Sequence, residues 1–123
     1  MSYEIKQDGK FKFIEEGEGE PLLLLHGLFG ALSNFQFLIE HFRKTNKVIV
    51  PLLPLLELDL LHTSVGGLQK FVYRFIEHRN YNNIHLLGNS LGGHVALVHI
   101  LKNPERIKSL ILTGSSGLFE NGM

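Results

Sequence analysis

The sequence predicts one α/β domain built on a mostly parallel sheet, with an N-terminal β-hairpin and helices on both faces. Short apolar runs without alternation are typical of strands buried on both sides of a parallel sheet. Segments with apolar residues at helical spacing separate these runs. The chain of 123 residues is long enough for one hydrophobic core and too short for two ordinary domains.

The N-terminal segment alternates apolar and polar residues over two short stretches. Residues 3–6 and 11–14 have this pattern, which favours two antiparallel strands. Asp8-Gly9 lies between them, and this dipeptide tolerates the positive φ of a tight hairpin turn. The acidic, glycine-containing residues 15–20 predict a solvated loop.

Continuous apolar runs predict the strands of the parallel sheet, and helical periodicity predicts the connections between them. Strand–helix alternation of this kind implies parallel strands joined by right-handed crossovers. Ser33 is a candidate N-cap, Thr63-Ser64 opens a second helix, and Pro51 to His62 predict no regular element. The predicted strands are 22–25, 47–50, 84–87 and 110–113, and the helices follow Ser33, follow Ser64 and span 91–102.

Charge and composition exclude several classes of partner. Twelve lysines and arginines balance twelve aspartates and glutamates, so no electrostatic attraction to nucleic acid or to an anionic membrane is expected. The chain has no cysteine, which excludes disulfides and thiolate metal sites. The polar first residues lack the apolar run of a signal peptide, and no apolar stretch is long enough to span a bilayer. We expect a cytoplasmic protein.

Residues 88–93, Gly-Asn-Ser-Leu-Gly-Gly, lie between a predicted strand and a predicted helix. This is the context that a Gly-x-Ser-x-Gly nucleophile elbow requires. A sharp turn would push the Ser90 hydroxyl out above the sheet edge. The turn would also bring Gly88 and Gly92 so close to neighbouring backbone that side chains could not fit there. Ser90 is therefore the candidate catalytic residue.

Two backbone N–H groups are candidate oxyanion donors. The helix begins at the nucleophile, so the N–H of Leu91 faces the place where negative charge would form. The loop of His26 and Gly27 follows the first parallel strand, and the N–H of Leu28 is the second candidate. We expect His26 to hold this loop by hydrogen bonds, because the base comes later in the chain in this architecture.

Segments 22–30 and 86–97 together resemble the α/β-hydrolase superfamily, and the resemblance extends to the strand ending near Thr113. The elbow is similar to that of esterases and of carbon–carbon bond hydrolases that cleave diketones. The resemblance implies a serine hydrolase acting on an ester, a thioester or an activated C–C bond, with no metal and no organic cofactor. One departure is Pro51-Leu52-Leu53-Pro54, which stands where the family usually has an Asp near a Gly-x-Gly-x-Ser stretch. Because of this departure, the sequence does not predict the shape of the pocket.

The triad order of this superfamily is Ser, then Asp or Glu, then His. Side chains on the helix that leaves the elbow point along its flank and not back over the Ser90 hydroxyl. We therefore expect residues 1–123 to form the N-terminal part of a single hydrolase core domain, without cap and C-terminal strands, and to be close to inactive alone. The carboxylates and histidines after Ser90 are Glu105, Glu120, His94 and His99.

The expected partner molecules follow from the same reasoning. The substrate would be a small molecule with an apolar acyl group, in a pocket lined by Phe29 and the leucines of 52–61, although plain core packing is an alternative for Phe29. The strand at 110–113 would be an unpaired apolar edge. We expect the chain's own C-terminal fragment or a second copy to complete the fold, and no nucleic acid or membrane to bind.

Two alternatives to an enzyme stay open. The chain could be a catalytically inert fragment or an α/β-hydrolase-like binding or interaction module, in which the elbow is a structural relic. A phosphate-binding turn at the helix N-terminus is less favoured. No Lys-Ser/Thr pair directly follows residues 88–93, and the Gly-x-Gly-x-x-Gly spacing is absent.

Overall fold

The structure, a computed structural model, describes residues 3–27, 35–54 and 65–114. Strand–helix alternation dominates these ranges, as the sequence predicts. Ser33, Thr63 and Ser64, the expected helix starts, lie outside them. The strands are β1 Lys6–Asp8, β2 Phe11–Glu16, β3 Glu20–Leu25, β4 Asn46–Pro51, β5 Ile84–Asn89 and β6 Ile107–Thr113, and the helices are α1 Gln36–Phe42, α2 Val65–Arg79 and α3 Leu91–Lys102, with a 3-10 turn at Pro104–Arg106.

The six strands form one sheet in the order β1-β2-β4-β3-β5-β6. Strands β4, β3, β5 and β6 are parallel to one another, whereas β1 and β2 form an antiparallel hairpin and β2 joins β4 antiparallel. Helices α2 and α3 pack on one face and α1 packs on the other. The predicted α/β fold, with its mostly parallel sheet, hairpin and two covered faces, is confirmed.

Strand β3 shows why an unbroken apolar run is required at the centre of this sheet. Leu23 and Leu25 belong to the core under α2 and α3, whereas Leu22 and Leu24 belong to the core under α1. Because successive side chains point to opposite faces, a strand covered on both sides needs apolar residues at every position. Full burial of one such leucine stabilises the fold by about 1.5–3 kcal/mol.

The hairpin differs from the predicted one in the bounds of its first strand and in the position of its turn. Its first strand is Lys6–Asp8 instead of residues 3–6, and the turn is made by Gly9 and Lys10, with φ +61° at Gly9. Asp8 is the last residue of β1 instead of a turn residue, and Arg79 Nη1 donates to Asp8 Oδ2 at 2.8 Å. A local sequence pattern does not predict this contact, because the two residues are 71 positions apart.

Strand β6 begins at Ile107, three residues earlier than predicted, and has β5 as its neighbour at the end of the sheet in the described ranges. Ile111 and Leu112 on β6 are 41% and 38% exposed, and Leu101 on α3 is 75% exposed. The described part of the sheet therefore ends in an apolar edge. That a second copy or a C-terminal fragment covers this edge stays a prediction.

Among the helices in the described ranges, none is both long enough and apolar enough to cross a bilayer.

Substituting Leu23 by alanine tests how far the fold depends on β3. Leu23 is 0% exposed, and removing a buried leucine side chain typically costs about 2–5 kcal/mol through lost burial and the cavity left behind. We expect a loss of this size in the free energy of unfolding, measured by urea denaturation. Leu101→Ala is the control, because its side chain is 75% exposed, and it should change stability by less than about 0.5 kcal/mol. Equal losses in both variants would contradict the assigned core.

Candidate active site

Ser90 lies in the one-residue turn between β5 and α3 and has φ +58° and ψ −119°. A residue with a side chain in this backbone region is strained by about 1–3 kcal/mol. Backbone hydrogen bonds hold it there: the Ser90 N–H donates to the Thr113 carbonyl at 3.1 Å, and the Gly93 N–H donates to the Ser90 carbonyl at 2.9 Å. The residue is exposed in the structure.

Glycine at positions 88 and 92 is explained by backbone packing around the turn. A Cβ on Gly88 would collide with the carbonyl oxygen of Gly92, and a Cβ on Gly92 would collide with the carbonyl oxygen of Leu25. The first turn of α3 therefore lies directly against the carboxyl end of β3. This contact places the N-terminus of α3, with its unpaired N–H groups, beside Ser90.

The loop after β3 reaches the same point. A Cβ on Gly27 would lie 3.2 Å from Ser90 Cβ and 3.5 Å from Ser90 Oγ, so Gly27 approaches the candidate nucleophile closely. Leu91 is the first residue of α3. Leu28 and Phe29 lie outside the described residues, and their roles as oxyanion donor and pocket residue stay predictions.

His26 is buried, with 6% exposure, and both ring nitrogens are engaged near the loop. The Leu53 N–H donates to Nε2 at 3.1 Å, so Nδ1 carries the proton and faces the Gly27 carbonyl at 3.1 Å. Burial lowers the pKa of His26 below 6.5, which favours this neutral form. The ring thus ties the Gly27 loop to the segment that departs from the family pattern, a link that the sequence does not reveal.

The remaining histidines of the described ranges do not serve Ser90 either. His94 is exposed on α3, and His99 is buried and accepts a hydrogen bond from Gln69 Nε2 at 2.9 Å. Glu105 is exposed in the 3-10 turn, and Glu120 lies outside the described residues. Within 3–27, 35–54 and 65–114, the site therefore contains a hydroxyl and a helix N-terminus, and no histidine hydrogen-bonded to Ser90 Oγ.

A second serine contacts a histidine near the amino ends of the parallel strands, whereas Ser90 follows a carboxyl end. Ser109 Oγ lies 2.7 Å from His85 Nδ1, and His85 Nε2 lies 3.1 Å from Glu20 Oε1. Five residues of extended chain separate His85 from Ser90, or about 16 Å. Sequence analysis missed this cluster, because only the register that pairs His85 with Ser109 brings the side chains together.

The chemistry of this cluster differs from that of the elbow. Lys108 Nζ hydrogen-bonds both oxygens of Glu20, at 2.9 and 3.2 Å, so the carboxylate is already neutralised by an ammonium group. Ser109 lies inside β6, whereas Ser90 directly precedes a helix N-terminus that favours negative charge. The described residues also contain no group of three potential metal ligands among His, Cys, Asp and Glu. Ser90 is the better candidate nucleophile.

Comparison with known proteins identifies the family. A family model for the alpha/beta hydrolase fold matches residues 61–122, and the chain belongs to this family. MGS-MChE2, an alpha/beta hydrolase enzyme from the metagenome of sediments of the Mar Chica lagoon, Morocco, has a similar structure with a TM-score of 0.86 and 49% identity, over 95% of this chain and 54% of that one. Lipase 1 of Psychrobacter immobilis is 30% identical over 93% of this chain and 38% of the lipase.

The relatives are mostly hydrolases, but not all are. They include further lipases and esterases of this fold. The dihydrolipoyllysine-residue acetyltransferase component of an acetoin cleaving system from Pseudomonas putida is 33% identical over 83% of this chain and 28% of that protein. The chain thus spans about a third of the length of these curated relatives.

Alanine substitutions at the paired glycines of α3 test the close approach of α3 to β3. The Cβ of Gly92→Ala would overlap the Leu25 carbonyl oxygen, so we expect a loss of at least about 1–3 kcal/mol in unfolding free energy, as for an overpacked core. Gly93→Ala is the control: its Cβ would lie 3.3 Å from the Gly88 carbonyl oxygen, and helix propensity would offset the tight contact by up to about 1 kcal/mol. A Gly92→Ala variant as stable as Gly93→Ala would refute the contact.

The buried state of His26 predicts a pH dependence of stability. Its pKa is held below 6.5 in the folded chain by burial, so below that pH the unfolded chain binds protons that the folded chain does not. The free energy of unfolding should therefore fall as pH drops from 8 to 5.5, by up to about 1.4 kcal/mol per pH unit for each such group. Burial also lowers the pKa of His99, so His99 adds to the fall in unfolding free energy.

The contribution of His26 can be isolated with glutamine, which retains an acceptor and cannot ionise. His26→Gln should reduce the stability lost between pH 8 and 5.5, measured by urea denaturation at each pH. His94→Gln serves as the control, since the exposed His94 side chain is solvated in both states, and it should behave like the wild type. Identical slopes for all three proteins would show that His26 is not protected from protonation by the fold.

Proposed function

We propose that the protein is a serine hydrolase in which Ser90 is the nucleophile, acting on an ester, a thioester or an activated carbon–carbon bond. The observation that carries the proposal is the position of Ser90: exposed, strained at φ +58°, and directly ahead of the N-terminus of α3. Gly27, which approaches Ser90 Oγ closely, supports it, because a substrate carbonyl bound there would meet backbone N–H groups of two loops.

The proposed reaction starts with attack of Ser90 Oγ on the substrate carbonyl carbon. The carbonyl oxygen becomes an oxyanion, and the N–H groups of Leu91 and Leu28 donate hydrogen bonds to it. Each such donor contributes about 2.7–4 kcal/mol of barrier reduction in a comparable site. These dipoles belong to the backbone, so the protein does not need to reorganise to present them.

A base must take the Ser90 proton, because a serine hydroxyl alone is a weak nucleophile. His26 cannot do this in the arrangement described, since Nε2 accepts the Leu53 N–H and Nδ1 is protonated. We propose that the base is a histidine outside residues 3–27, 35–54 and 65–114, oriented by a carboxylate. It would return the proton to the leaving group and then activate water to release the acyl group.

The proposed substrate is a small molecule with an apolar acyl group. Leu53 is buried beside the His26 loop, and we propose that Phe29 and the leucines of 52–61 form the acyl pocket. The lipase activity named for Psychrobacter immobilis Lipase 1 is consistent with an apolar acyl chain. A cytoplasmic location completes the proposal. The proposed absence of nucleic acid and membrane partners is supported by the balanced charge of the chain.

An inert binding or interaction module is the second candidate. It is favoured by one observation: in the described ranges no histidine hydrogen-bonds to Ser90 Oγ. Without a base, a triad enzyme retains at most about 10³–10⁴-fold acceleration over water from its oxyanion hole and binding. The two candidates differ in whether Ser90 reacts with an activated electrophile.

Fluorophosphonate labelling of the intact natural protein separates these candidates. We expect the probe to modify Ser90, identified by peptide mass spectrometry, and Ser90→Ala to abolish labelling. Ser109→Ala is the matched control, because Ser109 Oγ, unlike Ser90 Oγ, lies within hydrogen-bond distance of a histidine in the described ranges, and labelling should persist. Circular dichroism confirms that each variant is folded. Folded wild-type protein that stays unlabelled favours the inert module, and labelling lost in Ser109→Ala alone would move the nucleophile to β6.

A further inference from the structure

We propose that Thr113 and Asn89 form a positioning pair that holds Ser90 in its reactive conformation. The inference rests on the proposed role of Ser90 as nucleophile. Neither residue would contact the substrate. They would act by fixing the backbone of the residue that does.

Thr113 binds two consecutive residues of the elbow. Its carbonyl accepts the Ser90 N–H at 3.1 Å, and its hydroxyl donates to Asn89 Oδ1 at 3.1 Å. The two residues are also direct partners in the β5–β6 register. One residue of β6 therefore holds the elbow through the main chain of Ser90 and the side chain of Asn89.

Gly114 approaches the same carboxamide oxygen of Asn89 that the Thr113 hydroxyl contacts. It has φ +54°, and a Cβ on it would collide with Asn89 Oδ1. The chain that leaves β6 thus passes directly over the Asn89 side chain. This close passage and the Thr113 hydroxyl together restrict the rotamer of Asn89.

The need for such a pair follows from the strain at Ser90. A non-glycine residue at φ +58° keeps that conformation only when its surroundings over-determine it. The Ser90 N–H bonds to the Thr113 carbonyl, so β6 supports the elbow directly. If Thr113 shifts, Ser90 can relax, and a misplacement of about 1 Å in a reacting group can lower a rate roughly a hundredfold.

The pair should contribute little to global stability. Thr113 is exposed, so water solvates Asn89 Oδ1 when the hydroxyl is removed, but mobile water does not fix the Asn89 rotamer. A small effect on global stability distinguishes a positioning residue from a residue that only supports the fold. A structural residue would change unfolding and all kinetic parameters, whereas a positioning residue would change the chemical step.

The test compares Thr113→Val with Thr113→Ser in the intact natural protein. Valine keeps the shape and removes the hydroxyl, and we expect kcat for p-nitrophenyl butyrate to fall roughly ten- to a hundredfold with KM and the unfolding midpoint unchanged. Serine retains the hydroxyl and should restore kcat. Thr45→Val is the matched control, because Thr45 Oγ1 also donates to an asparagine, Asn46 Oδ1, at 2.8 Å, far from Ser90. It should retain wild-type kcat.

Hydrogen exchange of the Ser90 amide provides a readout that does not need turnover. We expect exchange at Ser90 to be roughly five- to tenfold faster in Thr113→Val than in the wild type, and unchanged in Thr45→Val. The inference would be overturned if Thr113→Val had the same Ser90 exchange rate and the same kcat as the wild type. It would also be overturned by a loss of kcat that Thr113→Ser does not restore. If the wild-type protein neither turns over ester nor reacts with fluorophosphonate, the proposed function fails, while unchanged Ser90 exchange alone would reject the positioning pair.

Discussion

The contact between the first turn of α3 and the carboxyl end of β3 determines the geometry of the candidate site. At Gly92 the two backbones are so close that a Cβ would overlap the Leu25 carbonyl oxygen. This approach forces the turn after β5 to be one residue long, and the strain falls on Ser90. Gly27 and His26 are held near the same point because they continue β3 directly. The exposed hydroxyl, the helix N-terminus and the adjacent loop all follow from one backbone contact.

Apolar burial alone does not hold the sheet in register at its hairpin end. Arg79 at the end of α2 donates to Asp8 and to Glu15, and its guanidinium lies 4.7 Å from the centroid of the Phe13 ring. Tyr81 donates to the same Glu15 carboxylate at 2.6 Å, and burial raises the pKa of this phenol. Arginine, tyrosine and two carboxylates thus connect α2 to both strands of the hairpin. Because these pairs share charges in one network, they can stabilise the hairpin more than isolated surface ion pairs, which contribute about 0–1 kcal/mol each.

Much of the fold could be predicted from local pattern, because a strand buried on both faces leaves a signal in each residue. The apolar run at 22–25 and the helical periodicity of 91–102 are examples. The glycines at 88 and 92 are a further signal, because a side chain at either position would collide with backbone. The contact of Asp8, at the end of β1, with Arg79 could not be predicted, because the two residues are 71 positions apart. The link from His26 to Leu53 and the Glu20–His85–Ser109 cluster likewise depend on tertiary register, which no local pattern encodes.

The position of β6 at the end of the described sheet has a consequence for local unfolding. Edge elements open with less free energy than central ones, so native proteins fluctuate there first. Because Thr113 on β6 accepts the Ser90 N–H, a molecule in which β6 has detached no longer holds the turn in its strained state. The fraction of molecules that hold Ser90 in the strained conformation then follows the fraction with β6 docked. A partner that packs against the outer side of β6 would raise that fraction without touching Ser90.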